Sequence, residues 1–337
     1  MGSPMSVTVF MDVEDLVALE SDDVARDCAE ILSQEGVPAT FCVVGEKARL
    51  LLQRGRDDVI SAMARHDIGL HTDFHSVHPT IAEAMADRDW DEGVAEAERM
   101  ERPGAEAIER VFGRPPSCWG GPGNTWGPQV CEALTRIGIP AFVYAHTEIP
   151  EGGVHRFAGC IAYPNGPSLN DGDYHDDAKA ELQSERLALR VNAETAAGAR
   201  WQQVFLGHPT RLLHEEFWDA GNFAQGANPC RDKWKPARQK SPEDLRRALA
   251  NFRRAARMLG SLPGIEIRTL SEMNVEFQSA ATSSISPLER EAVWPRIERN
   301  LQGMKGWPIF PPDFSADNIA ALTYTRLNTL RRFVEVP

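Results

Sequence analysis

The chain has 337 residues, of which 42% are hydrophobic and 25% are charged, a composition typical of one large globular domain or two smaller ones. Asp and Glu number 49 against 36 Lys and Arg, and the net charge of −13 argues against nucleic acid or an anionic membrane surface as a partner. No apolar segment reaches the roughly 20 residues that a transmembrane helix requires, so a membrane-spanning protein is not expected.

Short apolar segments rich in β-forming residues alternate with amphipathic helical segments along most of the chain. Strands are predicted at residues 6–10, 38–44, 68–70, 141–144, 203–206 and 266–269. Helices are predicted at residues 22–34, 59–65, 94–112, 130–137, 178–197 and 242–259, the third with a break or kink at Pro103 and Gly104. This alternation predicts parallel βα units, and about seven strands, one of them not located, favour an α/β barrel over a short doubly wound sheet.

Two segments interrupt the alternation and are predicted to be long loops. Residues 165–177 are rich in Gly, Pro, Asn and Asp, and residues 217–241 combine aromatic with turn-forming residues. Such loops are either binding loops or surface elaborations without a role, and the sequence leaves both interpretations open. The barrel is expected to span residues 5–277, followed by a small-residue linker at 278–287 and a C-terminal extension at 288–337 that packs on the barrel or on a neighbouring subunit.

The cysteines and the N-terminus indicate the cellular compartment. The six cysteines are scattered, without the close spacing of a metal-binding pair, and are interpreted as reduced structural thiols. No basic segment followed by an apolar one opens the chain, so no secretory signal is expected, and the residues before Met5 are interpreted as a cloning remnant. A cytoplasmic location is therefore expected, although a secreted protein whose signal had been removed would have the same sequence.

The sequence HTDFH is the strongest candidate for a metal site. His71 and His75 are four residues apart, so on a helical turn both imidazoles would project from one face and reach one metal ion. Asp73 would point elsewhere on that turn, and His66 and His78 flank the pair. A histidine pair at this spacing also occurs by chance or near helix ends, so a nearby carboxylate is needed to favour a metal.

Three acidic residues follow the first predicted strand. Asp12, Glu14 and Asp15 would repel one another unless something cationic lies there, and a metal ion would supply that charge. In an extended segment Asp12 and Glu14 share one face, and Asp15 lies on the other. The alternative is an acidic loop that caps the following helix, a role for which Asp15 is suited.

His208 directly follows the predicted strand at residues 203–206. In α/β barrels the active site lies at the carboxyl ends of the strands, and Asp12, His71 and His208 each follow a strand closely. A lone histidine at such a position is more often structural. The convergence of the three predicts one site, in which His208 is a candidate general acid.

These motifs together resemble the polysaccharide deacetylases of carbohydrate esterase family 4, which share the NodB-homology fold. The matching segments are DVE at 12–14, VPATFCVVG at 37–45, HDIGLHTDFH at 66–75, FGRPP at 112–116 and LGH at 206–208. The resemblance spans residues 5–277 and implies a distorted (β/α) barrel and a hydrolase that removes an acyl group, typically acetyl, from an amide nitrogen. It also implies one divalent metal ion that activates water, in first place Zn²⁺, with Co²⁺, Ni²⁺ and Mn²⁺ as alternatives.

By this resemblance the metal ligands are Glu14, His71 and His75. Many members of the family carry two adjacent aspartates at the first motif, and the second aspartate binds the metal. Here an acid-x-acid motif takes its place, as in a subgroup of the family, and it implies that Glu14 is the ligand. Asp15 is the fallback ligand.

The resemblance further implies that Asp12 is the general base and that His208 protonates the leaving amine. Residues 118–124 (CWGGPGN) lack the arginine that holds the catalytic aspartate in the family, so the carboxylate of Asp12 is expected to be less anchored. The acid that orients the catalytic histidine in the family is not identified by its motif. The candidates for it are Glu148, Asp171 and Asp173.

Residues in predicted loops are candidates for contact with the substrate. Trp119, Asn124 and Trp126 are candidate substrate-binding residues, because exposed indoles stack on sugar rings, with ordinary loop packing as the alternative.

The sequence supports three functional hypotheses. The first hypothesis is deacetylation of an N-acetylated sugar or oligosaccharide, and the second is hydrolysis of a non-sugar linear or cyclic amide, which the absence of a secretory signal favours. The third is a degenerate barrel that binds carbohydrate without turnover, suggested by the missing arginine. The expected partners are a small molecule or an oligosaccharide, without nucleic acid or membrane, and a second copy of the chain in a homo-oligomer.

Overall fold

The computed structural model describes residues 3–145, 154–279, 287–316, 326–329 and 331. Within these ranges eight strands and twelve α-helices form an α/β fold. The strands are β1 (Met5–Val13), β2 (Thr40–Val43), β3 (Asp67–Leu70), β4 (Ala141–Ala145), β5 (His155–Phe157), β6 (Cys160–Pro164), β7 (Trp201–Phe205) and β8 (Ile265–Arg268). The helices are α1 (Glu20–Gln34), α2 (Gly45–Gln53), α3 (Asp57–Met63), α4 (Ile81–Met85), α5 (Trp90–Phe112), α6 (Gln129–Arg136), α7 (Asp177–Ala196), α8 (Pro209–Leu213), α9 (Ala220–Phe223), α10 (Pro242–Gly260), α11 (Leu270–Ser279) and α12 (Pro287–Gly303). None of the described helices is both long and apolar enough to cross a membrane.

The central sheet is parallel and is built around β1. Its strand order is β3-β2-β1-β7. Residues 6–8 of β1 pair with β7 on one side and with β8 on the other, so β8 lies on the same side of β1 as β2. Trp119 forms parallel bridges to Leu70 of β3 and to Phe142 of β4, and β4 pairs in parallel with β6. The parallel pairing therefore runs from β7 through β1, β2 and β3 to β4 and β6. This confirms the predicted α/β fold with a parallel sheet.

Helices cover the sheet with faces whose apolar residues recur at helical spacing. In α1, Val24, Cys28, Ile31 and Leu32 are buried, while several intervening polar residues remain partly exposed. The strand β1 is buried along its whole length, as expected of a parallel strand covered on both faces. Because both faces are buried, the carboxyl ends of the strands are the part of the sheet at which a ligand can bind.

Helix α5 continues through Pro103, where the sequence predicted a break or kink. A proline inside a helix removes one backbone hydrogen bond, so tertiary packing must compensate for that loss. A Cβ atom on Gly104 would lie 3.0 Å from the Leu70 side chain and 3.1 Å from Asp73, so the helix lies close against the loop after β3. This close packing outweighs the local preference for a break.

A short antiparallel hairpin, formed by β5 and β6, was not predicted from the sequence. Its turn contains Ala158 and Gly159, both in the left-handed region with φ of 47° and 86°. The strands have three and five residues, too few for an alternating pattern to stand out from a loop. Several short helices, among them α4, α8 and α9, escaped prediction for the same reason.

The C-terminal part of the chain packs on the same core as the sheet. Trp294, Leu301 and Phe310 are buried in the hydrophobic cluster that also contains the side chains of β1. Residues 280–286, most of the predicted linker, lie outside the described residues. The division into barrel, linker and extension therefore stays a prediction.

Lys47 is a fully buried cation beneath the loop that follows β1. Its Nζ atom lies 2.6 Å from a carboxylate oxygen of Asp22, and it donates to the Ser21 hydroxyl at 2.7 Å and to the Asp15 carbonyl at 2.9 Å. Arg54 reaches the second carboxylate oxygen of Asp22 at 2.9 Å. A charge without solvent contact depends on such partners, so Lys47 ties the loop that carries the acidic motif to α1 and α2.

Replacing Lys47 with methionine should lower the free energy of unfolding by about 3 kcal/mol, because Asp22 loses a buried partner and the Asp15 carbonyl loses its donor. Chemical denaturation measures this change. The control is Lys179→Met, which removes a surface lysine with an exposed side chain and should change stability by less than about 0.5 kcal/mol. Equal midpoints for the two variants would contradict the role of Lys47.

Candidate functional site

The polar motifs predicted from the sequence meet at the carboxyl ends of three strands of the central sheet. Asp12 is the penultimate residue of β1, His71 directly follows β3, and His208 lies three residues beyond the end of β7. Glu14 directly follows β1. Because these strands are parallel members of one sheet, their carboxyl ends lie at the same edge of it, and the four side chains converge there.

Glu14, His71 and His75 form a buried cluster. One ligand atom of each lies within 4.8 Å of the other two, and the side chains are only 1–8% exposed. His75 Nε2 lies 2.6 Å from Glu14 Oε2, and His71 Nε2 lies 3.9 Å from the same oxygen. The two rings are tilted, with centroids 5.2 Å apart, so both present a nitrogen to the carboxylate of Glu14.

The backbone between the two histidines is a loop, and the expectation of a helical turn is wrong. Thr72 and His75 both have φ of 56°, in the left-handed region that a helix does not use. The Thr72 hydroxyl accepts a hydrogen bond from the backbone N–H of His75 at 2.9 Å and closes the loop. Asp73 points away and accepts from Arg49 of α2 at 2.7 Å. The two imidazoles converge because of this loop and not because of helical periodicity.

Ser76 and Asp219 fix the orientation of His75. The Ser76 hydroxyl donates to Asp219 at 2.5 Å and lies 2.7 Å from Nδ1 of His75. A hydroxyl whose hydrogen is given to a carboxylate accepts the Nδ1–H of the imidazole. When His75 is neutral, its Nε2 atom therefore carries a lone pair that faces Glu14. Metal-binding histidines require this arrangement.

The pKa values in the cluster reflect burial and mutual charge. Burial raises the pKa of Glu14, but the neighbouring imidazoles, above all His75, outweigh it and lower that pKa to about 2. Burial and the charge of His75 lower the pKa of His71 to about 3. Burial also lowers the pKa of His75, but Glu14 outweighs it and raises that pKa overall. Without a cation, protonated His75 therefore balances Glu14, while His71 keeps a free lone pair.

Asp15 has a structural role that excludes it as the fallback ligand. One carboxylate oxygen accepts the backbone N–H groups of Val17 and Ala18 at 2.9 and 3.0 Å. The other lies 2.9 Å from Nε2 of His214 and 3.2 Å from the Thr210 hydroxyl. Both oxygens therefore hold the loop after β1 against α8. The hydrogen bonds to Val17 and Ala18 form a turn that ends before α1 begins, so Asp15 does not cap that helix as the sequence suggested.

The cluster has the features of a site for one divalent cation. A carboxylate and two imidazoles are the donors that Zn²⁺ accepts, and their spacing suits ligand bonds of about 2.0–2.2 Å. Oε1 of Glu14 is buried and has no hydrogen-bond partner among the described residues, which is costly for a carboxylate oxygen unless a cation lies beside it. Three protein ligands also leave coordination positions open for a substrate.

Asp12 and His208 lie beside the cluster. The carboxylate oxygens of Asp12 lie 3.8 Å from Nδ1 of His71 and 3.8 Å from Nε2 of His208. Nδ1 of His208 lies 2.7 Å from Asp171, which also accepts the backbone N–H of His208 at 3.2 Å. Of the three acids considered from the sequence, Asp171 is therefore the one in contact with His208, while Glu148 lies outside the described residues.

Asp171 sets the charge of His208. Burial alone would lower the pKa of His208, but Asp171 and the neighbouring carboxylates of the site outweigh it and raise that pKa to about 10. The contact depends on Gly207, whose φ is +114° and where a Cβ atom would lie 1.8 Å from a carboxylate oxygen of Asp171. Only glycine fits both the backbone angle and the space there.

The tryptophans proposed for substrate binding are buried, so the expectation that their indoles are exposed is wrong. Trp119 is 2% exposed and its indole N–H donates to Glu101 at 2.7 Å. Trp126 is 3% exposed and packs 5.9 Å from the ring of Phe142. Asn124 lies in a short 3₁₀ turn, and its side chain is outside the described part of the structure.

Two cavities open at the strand ends, and His208 and Gly123 line both. One has a volume of about 330 Å³ and includes Glu14 and His75 in its wall. The other, about 340 Å³, includes Asp12. Several other lining residues were not predicted, because no motif marks them: Ser76 directly after His75, Gln203 within β7, and Ser168, Phe217, Asp219 and residues 307–309 in segments far along the chain.

The sequence and the fold were compared with known proteins. Residues 8–142 match the polysaccharide deacetylase family model. A search of curated protein sequences finds no match. Among solved structures, a protein from Mycobacterium smegmatis assigned to the polysaccharide deacetylases is 18% identical, with 85% of this chain and 95% of that chain covered and a TM-score of 0.51.

A second structure shares the overall arrangement at lower similarity. It is the carbohydrate esterase family 4 domain of a multidomain xylanase from the hindgut metagenome of Trinervitermes trinervoides, at 12% identity. The match covers 84% of this chain and 95% of that chain, with a TM-score of 0.45. The match to the polysaccharide deacetylase family therefore covers residues 8–142, with the motifs at the ends of β1 and β3, and the similarity to the solved structure from Mycobacterium smegmatis supports the α/β fold.

Proposed function

We propose that this protein is a metal-dependent hydrolase that removes an acyl group, in first place acetyl, from an amide nitrogen. The observation that carries the proposal is the buried cluster of Glu14, His71 and His75 directly beside Asp12 and His208. A ligand set with open positions, a carboxylate and an oriented imidazole are the groups that hydrolysis of an amide by water requires.

Glu14, His71 and His75 would hold the cation. The donor set suits Zn²⁺ best, and Co²⁺, Ni²⁺ and Mn²⁺ bind similar ligands with different affinity. When bound, such a cation polarises an acyl carbonyl and makes water more acidic. Ser76 and Asp219 support this role by holding the lone pair of His75 toward Glu14.

Asp12 and His208 would move the protons. Asp12 accepts a proton from water as the water attacks the acyl carbon, and the imidazole of His208 lies 3.8 Å from its carboxylate. His208 is protonated at neutral pH because Asp171 raises its pKa, and its Nε2–H donates to the amine that leaves. The backbone N–H of Gly121, a lining residue of the cavity that contains Asp12, would stabilise the developing oxyanion.

The family favours an N-acetylated sugar or oligosaccharide as the substrate, and a non-sugar linear or cyclic amide is the second candidate. The second candidate gains support from the burial of Trp119 and Trp126, because neither indole is exposed for stacking on a sugar ring. A barrel that binds carbohydrate without turnover is the remaining alternative, and the tests of metal binding and turnover distinguish it.

Glu14→Gln and His75→Ala should each lose most of the bound metal, because each removes one of three ligands. Asp12→Asn should keep the metal but lose turnover by about 10²-fold or more, because it removes the proton acceptor. Elemental analysis of the purified protein measures the metal, and release of acetate from N-acetylated sugars and simple amides measures turnover. The matched control is His175→Ala, which removes a half-buried histidine that lies near the backbone carbonyls of Arg211 and Asp244 and is not part of the cluster, and it should retain both.

Full metal content in Glu14→Gln and His75→Ala would contradict the ligand assignment. Metal retained by the wild-type protein without turnover of any amide would favour the binding protein instead.

Asp171→Asn should move the alkaline limb of the pH profile of kcat to lower pH. The carboxylate raises the pKa of His208 to about 10, so its loss lowers that pKa and the acid form is lost at a lower pH. Gly207→Ala should shift the limb in the same direction, because the added methyl group displaces Asp171.

The control for the backbone strain of Gly207→Ala is Gly36→Ala, which has a positive φ of 67° but no atom within 4 Å of the added Cβ. It should leave the pH profile unchanged. An unshifted alkaline limb in both Asp171→Asn and Gly207→Ala would show that His208 is not the acid.

A further inference from the structure

We propose that the C-terminal segment Trp307, Pro308 and Ile309 forms a wall of the substrate pocket and restricts the enzyme to compact amides that carry an apolar group. This inference rests on the proposed hydrolase function and narrows its substrate class. The segment lies in the predicted C-terminal extension, about 100 residues beyond the last catalytic motif, and the family match ends at residue 142.

The segment lines the same cavity as the candidate metal ligands. Glu14, His75 and His208 contribute the polar part of the lining, together with Ser76 and Asp219. The rest of the lining is mainly apolar and consists of Pro122, Gly123, Phe217, Ala220, Ala224, Trp307, Pro308 and Ile309. A polar floor beneath apolar walls is typical of a pocket that orients one reactive group of a small ligand.

Backbone hydrogen bonds hold the segment on the loop that follows α9. The backbone N–H of Gln225 donates to the Pro308 carbonyl at 2.6 Å, and that of Gly226 donates to the Ile309 carbonyl at 2.9 Å. Phe310, directly after the segment, is buried in the core and stacks on Phe314 with ring centroids 4.3 Å apart. The wall is therefore a fixed part of the folded chain.

Trp307 lies directly against residues 118–124, the segment that lacks the arginine of the family. A Cβ atom on Gly123 would lie 1.9 and 2.1 Å from two carbons of the Trp307 ring, so the indole contacts the bare backbone of this glycine. Gly123 lines both cavities beside His208. The indole thus bounds the space in which a substrate must lie to reach the general acid.

Phe217 contributes a second aromatic surface to the pocket. Its ring is 40% exposed, packs edge to face on His208 with centroids 5.1 Å apart, and lies 4.9 Å from the guanidinium of Arg211. An exposed aromatic ring beside a catalytic histidine is a contact surface for an apolar part of a ligand.

The two cavities differ in polarity, which defines the substrate further. The cavity that contains Asp12 also includes Ser168 and Gln203, and the side-chain carbonyl oxygen of Gln203 is buried without a hydrogen-bond partner among the described residues. The polar residues of this lining favour a polar end of the ligand. An amide with one polar end and one apolar end would match the polar cavity and the apolar cavity, both of which include His208 in their lining.

Size and polarity together disfavour the interior of a polysaccharide. A cavity of about 330 Å³ is near the lower end of the range for small-molecule pockets, which is about 300–1,000 Å³. Hydroxyl groups of successive sugar rings would lose water against the side chains of Trp307, Ile309 and Phe217 without gaining hydrogen bonds. A compact substrate with an aromatic or aliphatic group avoids that cost.

The test compares kcat/KM of the zinc-loaded full-length protein for acetanilide, N-acetylglucosamine and the hexamer of N-acetylglucosamine. Acetanilide should exceed the hexamer by about tenfold or more, and Trp307→Ala should reduce this preference by about tenfold. Phe217→Ala, at the second aromatic surface, should reduce it as well. Trp234→Ala is the matched control, because this tryptophan lies outside both cavities and packs on Phe223.

Binding gives a second measure that does not need turnover. Calorimetry with benzohydroxamate and acetohydroxamate should show tighter binding of the aromatic compound to the wild-type protein and the loss of that difference in Trp307→Ala. If no amide is hydrolysed but this difference is found, the proposed hydrolase function fails and the pocket assignment stands. A wild-type preference for the hexamer, or an unchanged preference in both wall variants, would overturn the inference.

Discussion

The contact between the buried carboxylate of Glu14 and the imidazole of His75 is the interaction on which the site depends. A carboxylate removed from water needs a positive partner, and here the nearest groups are two histidines whose own pKa values are shifted by burial and by the carboxylate. A proton on His75 meets that need in the free protein, while one oxygen of Glu14 keeps no hydrogen bond. A divalent cation meets the same need more completely, because it attracts the carboxylate and uses both imidazole lone pairs.

The fold holds this contact in place from several directions. The acidic motif after β1 and the histidine motif after β3 lie at the ends of the two parallel strands that flank β2, and Lys47 holds the loop after β1 in place. Ser76 and Asp219 orient His75, and Asp171 orients His208. Each of these two imidazoles therefore has a carboxylate on the side that faces away from the cluster. The charge of the site is thus distributed in advance, and substrate binding requires little rearrangement of these groups.

Motifs that follow strands were predictable, whereas contacts between distant loops were not. The side chains that converge were identified from the sequence because each lies at the end of an apolar strand or within three residues of it: Asp12, Glu14, His71 and His208. Asp219 lies 143 residues from Ser76, and the wall at residues 307–309 comes from a tail without a pattern, so no local signal pointed to either. Trp119 was misjudged because its burial depends on Glu101 of α5, which the local sequence does not reveal. The left-handed loop between the two histidines likewise depends on Thr72 and on the packing of α5.

Anomalous diffraction at the zinc absorption edge, from crystals of the zinc-loaded protein, tests the central claim most directly. One anomalous peak is predicted, at about 2.0–2.2 Å from a carboxylate oxygen of Glu14 and from one nitrogen each of His71 and His75. The direct contact between Glu14 and His75 should open to admit the ion. A zinc peak elsewhere, or a cluster that keeps its 2.6 Å contact in the presence of excess zinc, would contradict the account.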